Sequence, residues 1–151
     1  MKKLIAVLAV LALGACGGSS SNSPTTLPTP APTPTPSASG TYAGTMTFTG
    51  NGLNAVPVTG NTTVTQTGSS LAFSNLVLSG IINLSLGLGS TTLNGNAFDG
   101  QGSYSSAGCG VVTSHFVGHF AGNLMNLTVT LTPEKHGGGC GVYDIRGEMS
   151  R

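Results

Sequence analysis

From Gly40 to the end of the chain, apolar side chains fall mostly at every second position. Tyr42, Met46 and Phe48 alternate with Thr41, Ala43, Thr45, Thr47 and Thr49. Extended backbone sends successive side chains to opposite faces, so this alternation describes a strand with one buried side. The same pattern returns at Val56, Val58 and Val64, where Pro57 places the start of the strand at an edge or a bulge. It returns at Leu71 and Phe73 and again at Leu76 and Leu78, with a phase slip at Asn75. Ile82, Leu84, Leu86 and Leu88 predict a further strand, and residues 91–98 and 101–104 two weaker ones. Val112, Phe116 and Phe120 share a face, as do Met125, Leu127, Val129 and Leu131, and then Tyr143, Ile145 and Met149.

Eight or nine short strands separated by Gly, Asn and Ser turns signal a sandwich or a barrel. Aromatic-x-Gly recurs at Tyr42-Ala43-Gly44, Phe98-Asp99-Gly100, Phe116-Val117-Gly118 and Phe120-Ala121-Gly122. Residues i and i+2 of a strand share a face, so each aromatic is expected to cover the gap left by its own glycine. Glycine also permits the tight bends of a small barrel. The expected fold is all-β: an antiparallel up-and-down barrel of about eight strands, with a two-sheet sandwich as the alternative. The meander and its opening Gly40-Thr41-Tyr42 resemble calycin and lipocalin barrels, without the tryptophan that follows the first glycine there.

The start of the chain is of another kind. Lys2 and Lys3 precede an apolar run over residues 4–13, which closes on Leu13-Gly14-Ala15-Cys16. A positive start, a short apolar stretch and small residues before a cleavage point describe a secretory signal. The run is too short for a spanning helix, which needs about 20 apolar residues. The cysteine after the small residues resembles the lipobox of bacterial lipoproteins. That resemblance implies cleavage before Cys16, a diacylglyceryl thioether on its sulfur and an acyl group on the new amino terminus. Two or more acyl chains hold a protein stably on a bilayer. Gly17 is not the Asp that retains enterobacterial members of the family at the inner membrane, so the resemblance points to the outer membrane.

Residues 17–39 are rich in Ser, Thr and Pro, including Thr29-Pro30-Ala31-Pro32-Thr33-Pro34-Thr35-Pro36. Alternate prolines favour extended polyproline II, a semi-rigid spacer rising ~3.1 Å per residue. The expected organisation is a signal at residues 1–15, a lipidated cysteine and linker at 16–39, and a β domain at 40–151. A membrane-spanning barrel is disfavoured, because several strands are shorter than the ~9–11 residues that crossing requires.

Charge excludes further classes. Removing residues 1–15 leaves Lys135, Arg146 and Arg151 against Asp99, Glu134, Asp144 and Glu148, a net side-chain charge of −1. Nucleic-acid binding needs clustered Lys and Arg, and there is no such cluster. Charged residues make up 6% of the chain, so its surface polarity must come from Thr, Ser and Asn.

Of the three cysteines, Cys109 and Cys140 remain once Cys16 is lipidated, and each stands between two glycines. In an oxidising envelope compartment two spare cysteines most often pair, so a disulfide is expected. The rival is a metal site using Cys109, Cys140 and His136. His115 and His119 would form a metal pair on a helix, but on a strand they lie ~13 Å apart and are expected at the surface. Serines, histidines, Asp99 and Asp144 are present, but no Gly-x-Ser-x-Gly elbow and no phosphate-cradling glycine loop accompanies them. Asp144 and Glu148 alternate with Arg146 as a solvated face. No catalytic, cofactor or metal site is expected.

What remains is a choice between two roles. One is a non-catalytic interaction or structural module of the cell envelope with a filled core. The other is a lipocalin-like binder of a small apolar ligand. The large inward candidates Phe48, Phe73, Phe116, Phe120, Met125, Tyr143 and Met149 favour the first. Specificity would then sit in loops such as residues 132–141, which carry Glu134, Lys135 and His136 on a disulfide-tethered tip.

Overall fold

The computed structural model describes residues 37–151. The lipobox at Cys16 and the spacer up to Pro36 lie outside them. Ten strands follow in order: β1 Gly40–Gly50, β2 Leu53–Thr67, β3 Ser70–Phe73, β4 Leu76–Gly80, β5 Leu84–Leu86, β6 Gly89–Asn94, β7 Ala97–Ser106, β8 Gly110–Ala121, β9 Leu124–Pro133 and β10 Tyr143–Ser150.

Every pairing is antiparallel, in the order β1-β10-β9-β8-β7-β6-β3-β2, and β2 returns to β1. Eight strands therefore close into a barrel. The sheet closes on itself instead of splitting into two, so the barrel prevails over the sandwich. The extra strands prolong this wall: β4 pairs with β2 beyond β3, and β5 pairs with β4. The phase slip at Asn75 is the break between β3 and β4. There the register on β2 changes from Val64↔Phe73 to Asn61↔Val77. Pro57 lies just before the β2–β4 ladder, which begins at Val58↔Gly80, so the start of β2 is paired with β1 alone, as proline requires.

Two strand boundaries differ from those the alternation suggests. Residues 91–98 are not one strand, because Gly95 adopts a left-handed φ of 65° and turns β6 into β7; Phe98 thus joins Gln101 and Tyr104. Only Leu84–Leu86 of the Ile82–Leu88 pattern is strand, although Leu86 and Leu88 are both buried.

The apolar positions converge inside the barrel: Tyr42, Met46, Leu71, Leu76, Phe116, Met125, Ile145 and Met149 are all fully buried. Phe73 stacks at 5.1 Å from Phe98 and 5.2 Å from Phe116. The outer wall carries Thr41, Thr45, Asp99, His115 and Glu148, all exposed or nearly so. A barrel that is apolar inside and polar outside is the reverse of one that faces lipid. Among the described residues, no helix is long and apolar enough to cross a membrane.

The two ends of the barrel differ. At the base, where the described chain both begins and ends, Ala38 is buried as a plug. Its N–H donates to Gln66 Oε1 (2.7 Å), and its carbonyl accepts from the Tyr42 hydroxyl (2.9 Å). Arg151 clamps the same segment, donating from Nη1 to the carbonyls of Ser37 (2.6 Å) and Ser39 (2.8 Å), and from Nη2 to Asn123 Oδ1 (2.8 Å). The opposite end is the mouth. The loops after β1, β4, β7 and β9 meet there.

Candidate functional site at the barrel mouth

The mouth is shaped by the loop between β9 and β10. Glycine-rich and without apolar anchors of its own, this loop needs to be tied down. Cys109 and Cys140 are bonded, with their Cα atoms 5.5 Å apart, and join it to the β7–β8 turn. Backbone bonds add to the tie: Lys135 N–H donates to the Cys109 carbonyl (3.2 Å) and Glu134 N–H to the Val111 carbonyl (2.8 Å). Asn51 Nδ2 donates to the Gly139 carbonyl (3.1 Å) and to the Tyr143 hydroxyl (3.0 Å), and that hydroxyl donates to Gly139 as well (2.7 Å). Three loops are thereby tied around one opening, and the loop after β4 brings Ile82 to it by packing.

Beneath them lies a pocket of about 250 Å³, with walls from Phe48, Ile82, Leu84, Tyr104 and Tyr143 and a floor from Val112 and Leu131. The disulfide forms part of its rim. Phe48 and Tyr143 pack with ring centroids 5.0 Å apart. Burial pushes the Tyr104 phenol above its ordinary pKa, and the neighbouring Tyr143 adds to the shift. Both phenols give a polar edge to an otherwise apolar wall. Aliphatic side chains stand exposed near the opening: Leu53 at 40%, Val142 at 46% and Ile81 at 82%. Exposed aliphatic residues also stand at Val77 and Val111 and, at the base, at Leu124.

A second, broader hollow of about 470 Å³ lies open on the outer wall, between Asp99, Val117, His119 and Asn126. It is a surface depression and not an interior cavity. His115 and His119 sit on this outer face of β8. His115 Nε2 lies 2.8 Å from Asp99 Oδ1, and His119 Nε2 3.4 Å from Asn126 Nδ2. The histidines thus have separate partners. The Asp99–His115 pair is solvent-exposed and contributes little to stability. No group of three or more His, Cys, Asp or Glu among the described residues is placed to hold a metal ion. The cysteines of the rival metal site are consumed by the disulfide.

The interaction loop named from sequence does reach the mouth. Lys135 and His136 are exposed there, whereas Glu134 is partly committed, its Oε2 accepting from Val111 N–H at 3.2 Å. Sequence reading does not assign Leu53, Ile82 and Tyr104 to a site, because the start of β2, the β4–β5 loop and β7 that carry them are far apart in the chain until the fold assembles them. It also passes over Ser114, which stands fully buried on the apolar face of β8. Its hydroxyl donates to the Gly87 carbonyl (2.6 Å), and the break in Val112-x-Ser114-x-Phe116 is the signal that marks it. No protein-family model, curated protein or solved structure matches the chain.

Proposed function

We propose that this protein is a lipid-anchored lipoprotein of the bacterial cell envelope, held at the outer membrane through acylated Cys16. Its barrel is a non-catalytic interaction module. The observation that carries this reading is the difference between the two barrel ends: the first described residues, Ser37–Ser39, are clamped at the base, and the apolar pocket opens at the other end. A Ser-, Thr- and Pro-rich spacer of about 20 residues, at up to ~3.1 Å per residue, would give such a barrel a reach of several tens of ångströms from the bilayer. The disulfide accords with an oxidising compartment. The packed interior supports a contact module over a carrier, because the mouth pocket of about 250 Å³ falls short of the ~300–1,000 Å³ common for small-ligand sites. That pocket keeps the lipocalin-like binding of a small apolar ligand as the second reading.

Mass spectrometry tests both parts on the protein isolated from its own envelope. Acyl mass on an amino-terminal Cys16 peptide is expected; an unmodified, freely soluble product overturns the anchor. Native spectra of the same material are expected to show the bare polypeptide. A stoichiometric apolar molecule retained in the barrel would replace the contact reading with the carrier one.

A further inference from the structure

The turn between β1 and β2 is Gly50-Asn51-Gly52-Leu53, and the ladder closes on the pair Gly50↔Leu53. Asn51 and Gly52 both take left-handed φ, 47° and 83°, as in the two-residue hairpin that Asn-Gly favours. Both residues are exposed. The Gly52 nitrogen lies outside the ladder, and the place where a side chain on Gly52 would stand is open space. No side chain of its own therefore screens that nitrogen from the neighbouring Asn51 carboxamide. A second Asn-Gly, Asn94-Gly95, turns β6 into β7 at the base, beside the Ala38 plug.

The Asn51 carboxamide is also a bolt. Its Nδ2 donates to the Gly139 carbonyl (3.1 Å) and to the Tyr143 hydroxyl (3.0 Å), tying the β1–β2 turn to the β9–β10 loop. The tip of that loop has few other holds. Gly137, Gly138 and Gly139 all take left-handed φ with open space beside them. The backbones of Gly137 and Cys140 bond to each other, at 3.1 Å and 3.0 Å. Whatever changes the Asn51 side chain changes the rim of the mouth.

We propose that Asn51 is a self-modification site, where the chain and water convert the polar bolt of the mouth into a carboxylate. The Gly52 nitrogen gives up its proton and attacks Asn51 Cγ. A C–N bond forms and closes a cyclic imide, the Cγ–Nδ2 bond breaks, and Nδ2 leaves as ammonia with the proton that Gly52 released. Water then opens the imide, leaving an aspartate or, through the backbone carbonyl, an isoaspartate. Ammonia leaves and water enters, with no change of oxidation state. The two hydrogen bonds of Nδ2 set the rate, because the carboxamide must leave them before Cγ can reach the nitrogen. The product undoes the tie: an ionised carboxylate only accepts hydrogen bonds, so it cannot donate to Gly139. It also draws away the Tyr143 hydroxyl, which otherwise donates to Gly139. The loop keeps its disulfide but loses the bolt, and the rim gains a negative charge. This holds whether the mouth meets a protein or a small ligand.

Peptide mapping of the full chain, kept folded in detergent and mildly alkaline buffer, tests this over time. The mass change of ammonia replaced by water is expected at Asn51. Tyr143→Phe removes one acceptor of the carboxamide and is expected to speed conversion at Asn51 about fivefold, with the rate at Asn94 unchanged. Ion exchange separates the converted chain by its added charge. In it, amide exchange at Gly137 and Cys140 is expected to rise about fivefold or more, while the Arg151 amide, bonded to the Asn123 carbonyl at the base, keeps its rate. Asn51→Asp, made directly, is expected to show the same exchange pattern. An Asn51 that stays intact in the folded chain while the unfolded chain converts overturns the modification site. Conversion that leaves the Gly137 and Cys140 amides unchanged overturns the unbolting of the mouth.

Discussion

Phe116 stands directly opposite Gly100 across the β7–β8 ladder, and the edge of its ring fills the space a side chain at Gly100 would need. The reciprocal pair is Phe98 opposite Gly118, whose missing side chain leaves room for the Phe98 ring and the Asn126 carbonyl. Two of the four aromatic-x-Gly repeats are therefore devices of the fold, and in both the ring covers the glycine of the neighbouring strand and not its own. Gly44 instead lies against the Glu148 and Met149 backbone, and Gly122 has open space at a turn. A side chain at Gly100 would also come within 2.8 Å of Thr91 Cβ. Gly100→Val is expected to destabilise the domain by about 1–3 kcal/mol through overpacking. The same change in a Phe116→Leu background is expected to cost less. Urea denaturation of the four proteins of this cycle measures the coupling.

The inward-facing residues were legible because period two needs only local chain geometry, and every large residue assigned inward is buried except Tyr143, which is half-buried at the mouth. The closing ladder between β1 and β10 was not. Its register, Met46↔Gly147 and Phe48↔Ile145, joins residues about a hundred positions apart and depends on how the six strands between them curve. The mouth was half legible. The glycine-flanked cysteines announced their bond, but Leu53, Ile82 and Tyr104 become one pocket only when four separate loops converge.

The Cys109–Cys140 bond closes a separation of 31 residues, and in the chain-entropy account such a loop is worth about 3–4 kcal/mol. Cys109→Ala is expected to lower stability by about that amount and to loosen residues 134–142 first. Urea unfolding read at equilibrium measures the loss; labelling of the unreduced, unfolded protein should find neither Cys109 nor Cys140 reactive.

Alkaline pH provides an independent check of the packing. Burial raises the phenols of both Tyr42 and Tyr104, although Arg151 offsets part of the effect at Tyr42. Between the ordinary tyrosine value near 10 and these raised values, the folded chain keeps protons that the unfolded chain has released. Stability is thus expected to be unaffected by these groups below about pH 10 and to fall as the pH rises beyond it. Melting temperatures taken alongside tyrosinate absorbance follow both events; a stability that stays level while Tyr42 and Tyr104 ionise at the ordinary tyrosine value contradicts the assigned burial.

The proposed contact role of the mouth is the centre of the account, and site-specific photo-crosslinking in the intact envelope tests it most directly. A photoreactive residue is placed at Leu53, Ile81 or Val142 at the mouth, and at Asn96 or Asn123 at the base. The account predicts discrete protein adducts from the mouth positions and none from the base. Adducts confined to the base, or a mouth that captures only lipid or nothing, would contradict it.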